Sequence, residues 1–424
     1  MGTIVDVDSH VYEPTAVWDQ YIPAEYRGLA KSAFFHEIDR HGNRVTVVNG
    51  QPAKELNRRQ LIRQAIWRPG MTPEQIGELD PDRFVAINPG AYDATARVAD
   101  MDAMGVDQSV VFPTLFAEYL PQVIDPTAAS VLASAYNDWI WDFAAQTNGR
   151  VHPVAILPMQ SLLHARRELD RVAQKGFRSV TVRPAFYHLD IDPMTLFNGE
   201  LTAGQRVLQG GGNSGARTPV FVEDRPYRPL WEQIDHYSMV ACIHPSVGST
   251  SADYLSSGGF AERVASRIGV AHTVAEPIAH MQDVDLFMTA AFFHGLLEDL
   301  PGLKLALLHA GVSWVPLALE KNETYLWLTA YGMAAGAVCL EPEEVWERQQ
   351  IVVGFDGWDR PVGRMPDLLG EKAAWGSRYP NHDAAGPDEA VAMLQSGGCD
   401  EATVKRLMGG NAADLFGLNI GAGV

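Results

Sequence analysis

Near the start of the chain, in DVDSH, Asp8 and His10 stand two residues apart, directly after the stretch TIVDV. Side chains of an extended segment alternate, so positions 8 and 10 point to the same side. A carboxylate and an imidazole presented together can bind one divalent ion. His244 of CIHPS, delivered by a distant strand, would complete three protein ligands. Three ligands and a water make an open site, whose ion lowers the pKa of the bound water towards about 7 and polarises a substrate oxygen. Each residue also has a plainer reading. Asp8 is then a turn residue, His10 a surface histidine, and His244 a core histidine behind four apolar residues.

These residues need elements that bring them together. Eight short apolar runs read as strands: 3–7, 108–113, 151–157, 178–184, 239–244, 303–309, 350–355 and 372–377. Near-continuous hydrophobicity is what parallel strands buried on both faces require. Helical spacing marks 129–146 and 161–175 between them; in the second, Leu162, Ala165, Leu169 and Val172 form one stripe and Gly176 follows as a stop. Strands alternating with helices predict an α/β fold, a (β/α)8 TIM barrel, as a single domain over 1–424. Two insertions interrupt the repeat, about 15–95 at the N-terminal side and 190–226 as a long loop after strand four. The first contains a hairpin pattern around His41-Gly42-Asn43.

A barrel enzyme works at the C-terminal ends of its strands. Strand one delivers Asp8 and His10, strand four Arg183, strand five His244, strand six His309, strand seven Asp356 and strand eight Arg378. His309 is open between a base, a fourth ligand and a packing residue. His36, His41, His152 and His164 read as solvated, and His272, His280, His294 and His382 as pocket liners without a firm role. The run GGGNSG at 210–215 fits a dinucleotide-binding spacing, but Thr218 and Pro219 follow where a helix should start, so no such site is expected.

With 46% hydrophobic and 20% charged residues, the chain reads as an ordinary globular protein. A formal charge of −19 leaves no basic surface for nucleic acid. The cysteines Cys242, Cys339 and Cys399 are odd in number and widely spaced, so no disulfide framework is expected. The opening MGTIVDVDSH lacks the pattern of a signal peptide, and no apolar run of membrane-spanning length occurs. The expectation is a cytoplasmic protein without a membrane partner.

The opening DVDSHVYEP, RVADMDAMGVDQSVVFPT at 97–114, CIHPSVG at 242–248, LALLHAGVSW at 305–314 and GGNAADLFGL at 409–418 together resemble the amidohydrolase superfamily. The likeness is to the branch that includes aminocarboxymuconate semialdehyde and resorcylate decarboxylases, and it spans nearly the whole chain. It implies a TIM barrel with one divalent ion, zinc in the first instance and manganese, iron or copper otherwise. It also implies a small-molecule substrate and a homodimer. By position, Asp8, His10 and His244 become metal ligands and His309 the catalytic histidine.

One departure matters. The resemblance implies WGSDYPH at the end of strand eight, with a ligating or water-binding aspartate. This chain has WGSRYPNHD, placing Arg378 there. A guanidinium cannot ligate a metal. Arg378 therefore either anchors a substrate anion, as Arg183 is also placed to do, or pairs with an acid such as Asp8 or Asp356, or marks a lost site. Asp356, Asp359 and Asp383 are replacement acids. An alternative register takes GFD at 354–356 as the strand-eight motif. The reading is a metal-dependent enzyme that hydrolyses or non-oxidatively decarboxylates a small aromatic or unsaturated carboxylate or phenol. Its rivals are a cyclodehydratase or oxidase of a phenolic or amide metabolite, an ordinary hydrolase using Asp356, and a non-catalytic binding barrel.

Overall fold

A computed structural model describes residues 2–38, 44–52, 65–78, 86–183, 185–188, 218–221, 225–245, 276–329, 338 and 340–420. All eight expected strands are present. They are β1 Val5–His10, β2 Gln108–Phe112, β3 in two pieces (Val151–Pro153 and Ala155–Ile156), β4 Ser179–Val182, β5 Val240–Ile243, β6 Lys304–Leu307, β7 Gln350–Phe355 and β8 Ala373–Trp375.

Neighbouring strands pair in parallel from β1 through β2 to the first piece of β3, and from its second piece through β4, β5, β6 and β7 to β8. The circle closes where β8 meets β1. There the Arg378 N–H donates to Asp8 O at 2.7 Å and the His10 N–H to Tyr379 O at 2.6 Å. The fold is the expected (β/α)8 barrel. Because β7 and β8 are separate strands, Asp356 ends β7, and the alternative register at 354–356 is wrong.

Apolar side chains fill the barrel as one cluster that includes Val5, Val7, Val110, Phe112, Val154, Val240, Cys242, Ala306, Leu308, Val352 and Ala374. A second cluster lies between strands and helices. The helices used below are α1 Ala94–Met104, α2 Pro126–Ala145, α3 Leu162–Lys175, α4 Glu276–Phe293 and α5 Val315–Thr329. Their ends follow local chemistry. The Asp125 side chain accepts from the Thr127 and Ala128 N–H groups at the start of α2, with Pro126 in the first turn. Ser161 caps α3, and Gly176 at φ 108° stops it.

The N-terminal insertion carries an antiparallel hairpin, Phe34–Ile38 with Arg44–Val48; its tip around His41 lies outside the described residues. Ala185–His188 and Thr218–Phe221 pair as a ribbon at the base of the loop after β4. The interior of that loop, with GGGNSG, lies outside the described residues, as does His272. Among the described residues no helix is long and apolar enough to cross a membrane.

Candidate metal centre

Strand β1 is not regular. Asp6 pairs with Ser109 but Ser9 pairs with Val111, so β1 contains one residue more than its partner. A bulge of this kind re-aims the side chains beyond it. Before it, the odd positions Val5 and Val7 face the barrel core. Beyond it, the even positions Asp8 and His10 join the site at the barrel mouth. The Asp8 N–H that the bulge takes from the ladder donates instead to Asp6 Oδ1 at 3.1 Å. Asp6 also accepts from the Ser377 N–H and hydroxyl at 2.9 and 2.5 Å, tying the bulge to β8.

Four side chains converge here: Asp8, His10, His244 and His309 each offer a ligand atom, all within 4.8 Å of one another. His10 Nε2 and His244 Nε2 lie 3.1 and 3.2 Å from Asp8 Oδ1, and His309 Nδ1 lies 3.4 Å from Asp8 Oδ2. On the far sides of two rings, His10 Nδ1 lies 3.2 Å from Pro113 O and His244 Nδ1 lies 2.7 Å from Pro245 O. A carbonyl only accepts, so each Nδ1–H donates outward, and with an ion bound each Nε2 would be left to offer its lone pair inward. Inward lone pairs around a buried carboxylate suit one divalent cation, and a mixed nitrogen and oxygen donor set fits zinc, manganese or iron.

The carboxylate itself is held in its charged form. Burial opposes charge on Asp8, yet His244, His10 and His309 outweigh it and hold the carboxyl well below its usual range. Burial, with Arg378 nearby, pulls His309 down to about 4, against the pull of Asp8.

Arg378 lies beside this cluster but not in it. Its guanidinium donates to Asp383 Oδ2 at 2.8 Å and pairs with Asp356 Oδ2 at 3.2 Å. Burial works against its charge, but Asp383 and Asp356 raise its pKa above the ordinary value. Burial likewise opposes charge on Asp383, and Arg378 overcomes it, taking the carboxyl down to about 2. Two of the three acids expected as replacements, Asp356 and Asp383, are thus turned to the arginine.

Arg183 borders a pocket whose walls are Leu120, Pro121, Ile156, Leu157 and Met159, with Thr181 and Gln160 as further polar groups; His244 belongs to the same lining. The metal cluster and the pocket therefore share a wall.

Two residues carry more than their sequence context suggested. His280 on α4 is buried, its ring 4.7 Å from that of His309, and its Nε2 has no hydrogen-bond partner among the described residues. A histidine within an apolar helix gives no signal of a site, which is why it had no firm role. His152 is half-buried in β3 with Nε2 2.7 Å from Gln108 Oε1, not solvated; burial pulls it down to about 4. His294 is exposed and does not line the pocket.

The sequence model described as amidohydrolase matches residues 88–418. The chain belongs to the amidohydrolase family. No curated protein matches it in sequence. Among solved structures, this amidohydrolase is similar to an amidohydrolase from Mycobacterium avium subsp. paratuberculosis, with 17% identity over 98% of this chain and 99% of that one, TM-score 0.73. A dihydroxybenzoic acid decarboxylase from a Polaromonas species, with bound manganese and the inhibitor 2-nitroresorcinol, aligns at 16% identity over 98% and 97% of the two chains, TM-score 0.59. The 5-carboxyvanillate decarboxylase of Sphingomonas paucimobilis aligns at 16% identity over 99% and 100%, TM-score 0.60. At such identities the likeness speaks to the fold.

Proposed function

We propose that this amidohydrolase is a metal-dependent lyase that decarboxylates a small hydroxylated aromatic acid without net oxidation. The observation that carries the reading is the shared wall: a three-histidine, one-carboxylate cluster adjoins an apolar pocket bordered by Arg183. Two enzymes of the same fold are decarboxylases of hydroxylated benzoic acids, which supports the substrate class by analogy.

In this reading Asp8, His10 and His244 would hold the ion, and His309 belongs to the same cluster. Zinc is the first candidate, and the manganese found in the Polaromonas enzyme is the second. When bound, the ion supplies a positive charge that polarises substrate oxygens. Leu120, Ile156, Leu157 and Met159 hold the flat ring and exclude water, while Arg183 pairs with an anionic group of the substrate. Neutral His309 accepts the proton of the ring hydroxyl and returns it to the ring carbon. The bond from that carbon to the carboxylate then breaks, CO2 leaves, and the electron pair of that bond restores the ring. The phenolate left behind regains its proton from water. Arg378, neutralised by Asp356 and Asp383, takes no direct part in the scheme. With Asp356 and Asp383 turned to that arginine, a water-activating carboxylate is not part of the scheme, which disfavours ordinary hydrolysis.

Two further assignments belong to this reading. A homodimer is supported by the exposed Leu317, Tyr325, Trp327 and Leu328 on α5. A cytoplasmic setting is supported by Cys242 and Cys399, which are free thiols.

The test is elemental analysis of the purified protein with His10→Ala and His244→Ala alongside, followed by CO2 release from a panel of hydroxybenzoates. We expect near one equivalent of divalent metal, lost in both variants, and metal-dependent release from at least one panel member. Full metal retention in both variants would sink the ligand assignment. Metal binding without CO2 release from any panel member would remove the decarboxylase reading.

A further inference from the structure

Arg97, on α1, is fully buried, and among the described residues no carboxylate is in direct ion-pair contact with it, Asp6 and Asp100 acting on it only from further off. Its donors go elsewhere. Nε donates to Gly90 O at 2.7 Å, Nη1 to Ser9 Oγ at 2.8 Å, and Nη2 to His10 O. The guanidinium face lies 4.4 Å from the centroid of the Tyr379 ring. Two of its three receivers thus belong to the bulged tip of β1, which presents Asp8 and His10, and its stacking partner lies just beyond β8.

That stacking partner is itself fixed. Tyr379 donates its hydroxyl to Asp100 Oδ2 at 2.5 Å and receives Asn88 Nδ2 at 3.0 Å, while its carbonyl accepts the His10 N–H. The turn between them is tight: a Cβ on Gly90 would sit 2.1 Å from the Tyr379 hydroxyl oxygen. His10 is therefore held through both backbone groups, its N–H by Tyr379 and its carbonyl by Arg97.

Burying a cation with its nearest acids, Asp6 and Asp100, acting only from beyond ion-pair contact is costly, and an ordinary packing position would be filled by an apolar side chain instead. The planar fork explains the choice. Only a guanidinium can donate in three directions and stack on a ring with the same group, and a lysine ammonium cannot. We propose that Arg97 is a positioning residue for the metal centre: it sets the bulged tip of β1, and so the aim of Asp8 and His10, without touching ion or substrate. This rests on the reading of Asp8, His10 and His244 as ligands. Supporting groups of this kind change metal affinity by about 10- to 100-fold when removed.

Cobalt(II) is the probe, because its absorption bands report coordination geometry and its affinity can be read by chelator competition. Arg97→Lys and Arg97→Met are compared with the wild type, with His10→Ala, and with Met101→Ala, a buried change on the same helix. We expect both Arg97 variants to bind cobalt about 10- to 100-fold more weakly with shifted bands. Met101→Ala should lose thermal stability while keeping wild-type affinity and spectrum. Ser9→Ala, which removes one receiver and keeps the fork, should shift the bands in the same direction by less, and decides the matter if neither Arg97 variant folds. Wild-type affinity and spectrum in the folded Arg97 variants, or in Ser9→Ala when it alone is available, would show a purely structural arginine. Equal cobalt binding by wild type and His10→Ala would overturn the ligand assignment and the role of Arg97 with it, a result distinguishable from the first.

Discussion

The Arg378 N–H donates to the Asp8 carbonyl at 2.7 Å, so the residue that replaces an expected acid is joined to the metal-site carboxylate through the backbone. Its φ of 59° lies in the left-handed region, an uncommon conformation for a residue with a side chain. The guanidinium is meanwhile held by Asp383 and Asp356. The strand-eight position thus keeps its role in closing the barrel while its side chain serves a separate ion-pair cluster.

Removing that side chain strands two carboxylates. Arg378→Met should cost roughly 3 kcal/mol, the low end for breaking a buried pair because the groups retain some solvent. Adding Asp356→Asn and Asp383→Asn in the same background should return most of the loss, as read by urea unfolding. A single variant of unchanged stability but sharply raised KM would instead make Arg378 the substrate anchor.

Asp359 gives a pH signature. Burial first, and Asp356 second, push its carboxyl up to about 6, and its Oδ2 has no hydrogen-bond partner among the described residues. A raised folded-state pKa means the folded protein binds the extra proton between the unfolded value near 3.8 and about 6. Stability from this group is therefore present at pH 4 and lost as pH rises through 6, by roughly 3 kcal/mol for two units. Asp359→Asn should remove this part of the profile, so that the variant gains on the wild type between pH 4 and 7. Parallel profiles would refute the assignment.

Much of this architecture is legible in the residues, and the exceptions have physical causes. QSVVF, VACI and IVVGF read as strands because burial on both faces leaves little room for polar side chains. In VDVDSH the spacing of Asp8 and His10 is readable, but the bulge between Asp6 and Ser9 is not. Strict alternation would put 5 and 7 on one side and 8 and 10 on the other, and only the pairing with 109 and 111 shows how both sets reach the interior. Arg97 is equally opaque, since an arginine on an amphipathic helix reads as solvated and its burial depends on Tyr379, nearly three hundred residues away. That Asp383 pairs with Arg378 depends on the turn after β8, which spacing alone does not settle.

The face of α5 offers a test of assembly. Leu317, Tyr325 and Leu328 fall on one stripe at helical spacing, and Leu328 is 67% exposed. Light scattering should give twice the chain mass, and Leu328→Asp should reduce it to one. A wild-type monomer at micromolar concentration would exclude the homodimer.

Gly376 tests the approach of β8 to the bulge. A Cβ there would sit 2.5 Å from Asp8 Cβ and 3.3 Å from Asp8 N, closer than side chains tolerate. Neither neighbour can yield, because Asp8 N is bonded to Asp6 and Asp6 to Ser377. Gly376→Ala should therefore displace the Asp8 carboxylate from the three histidines, at a cost of roughly 1–3 kcal/mol in stability from overpacking. Metal affinity should fall by more than that stability loss accounts for, because the carboxylate is the group all three histidines face. Titration with zinc against a chromophoric chelator checks this, and wild-type affinity in a folded Gly376→Ala protein would show that Asp8 is free to move aside.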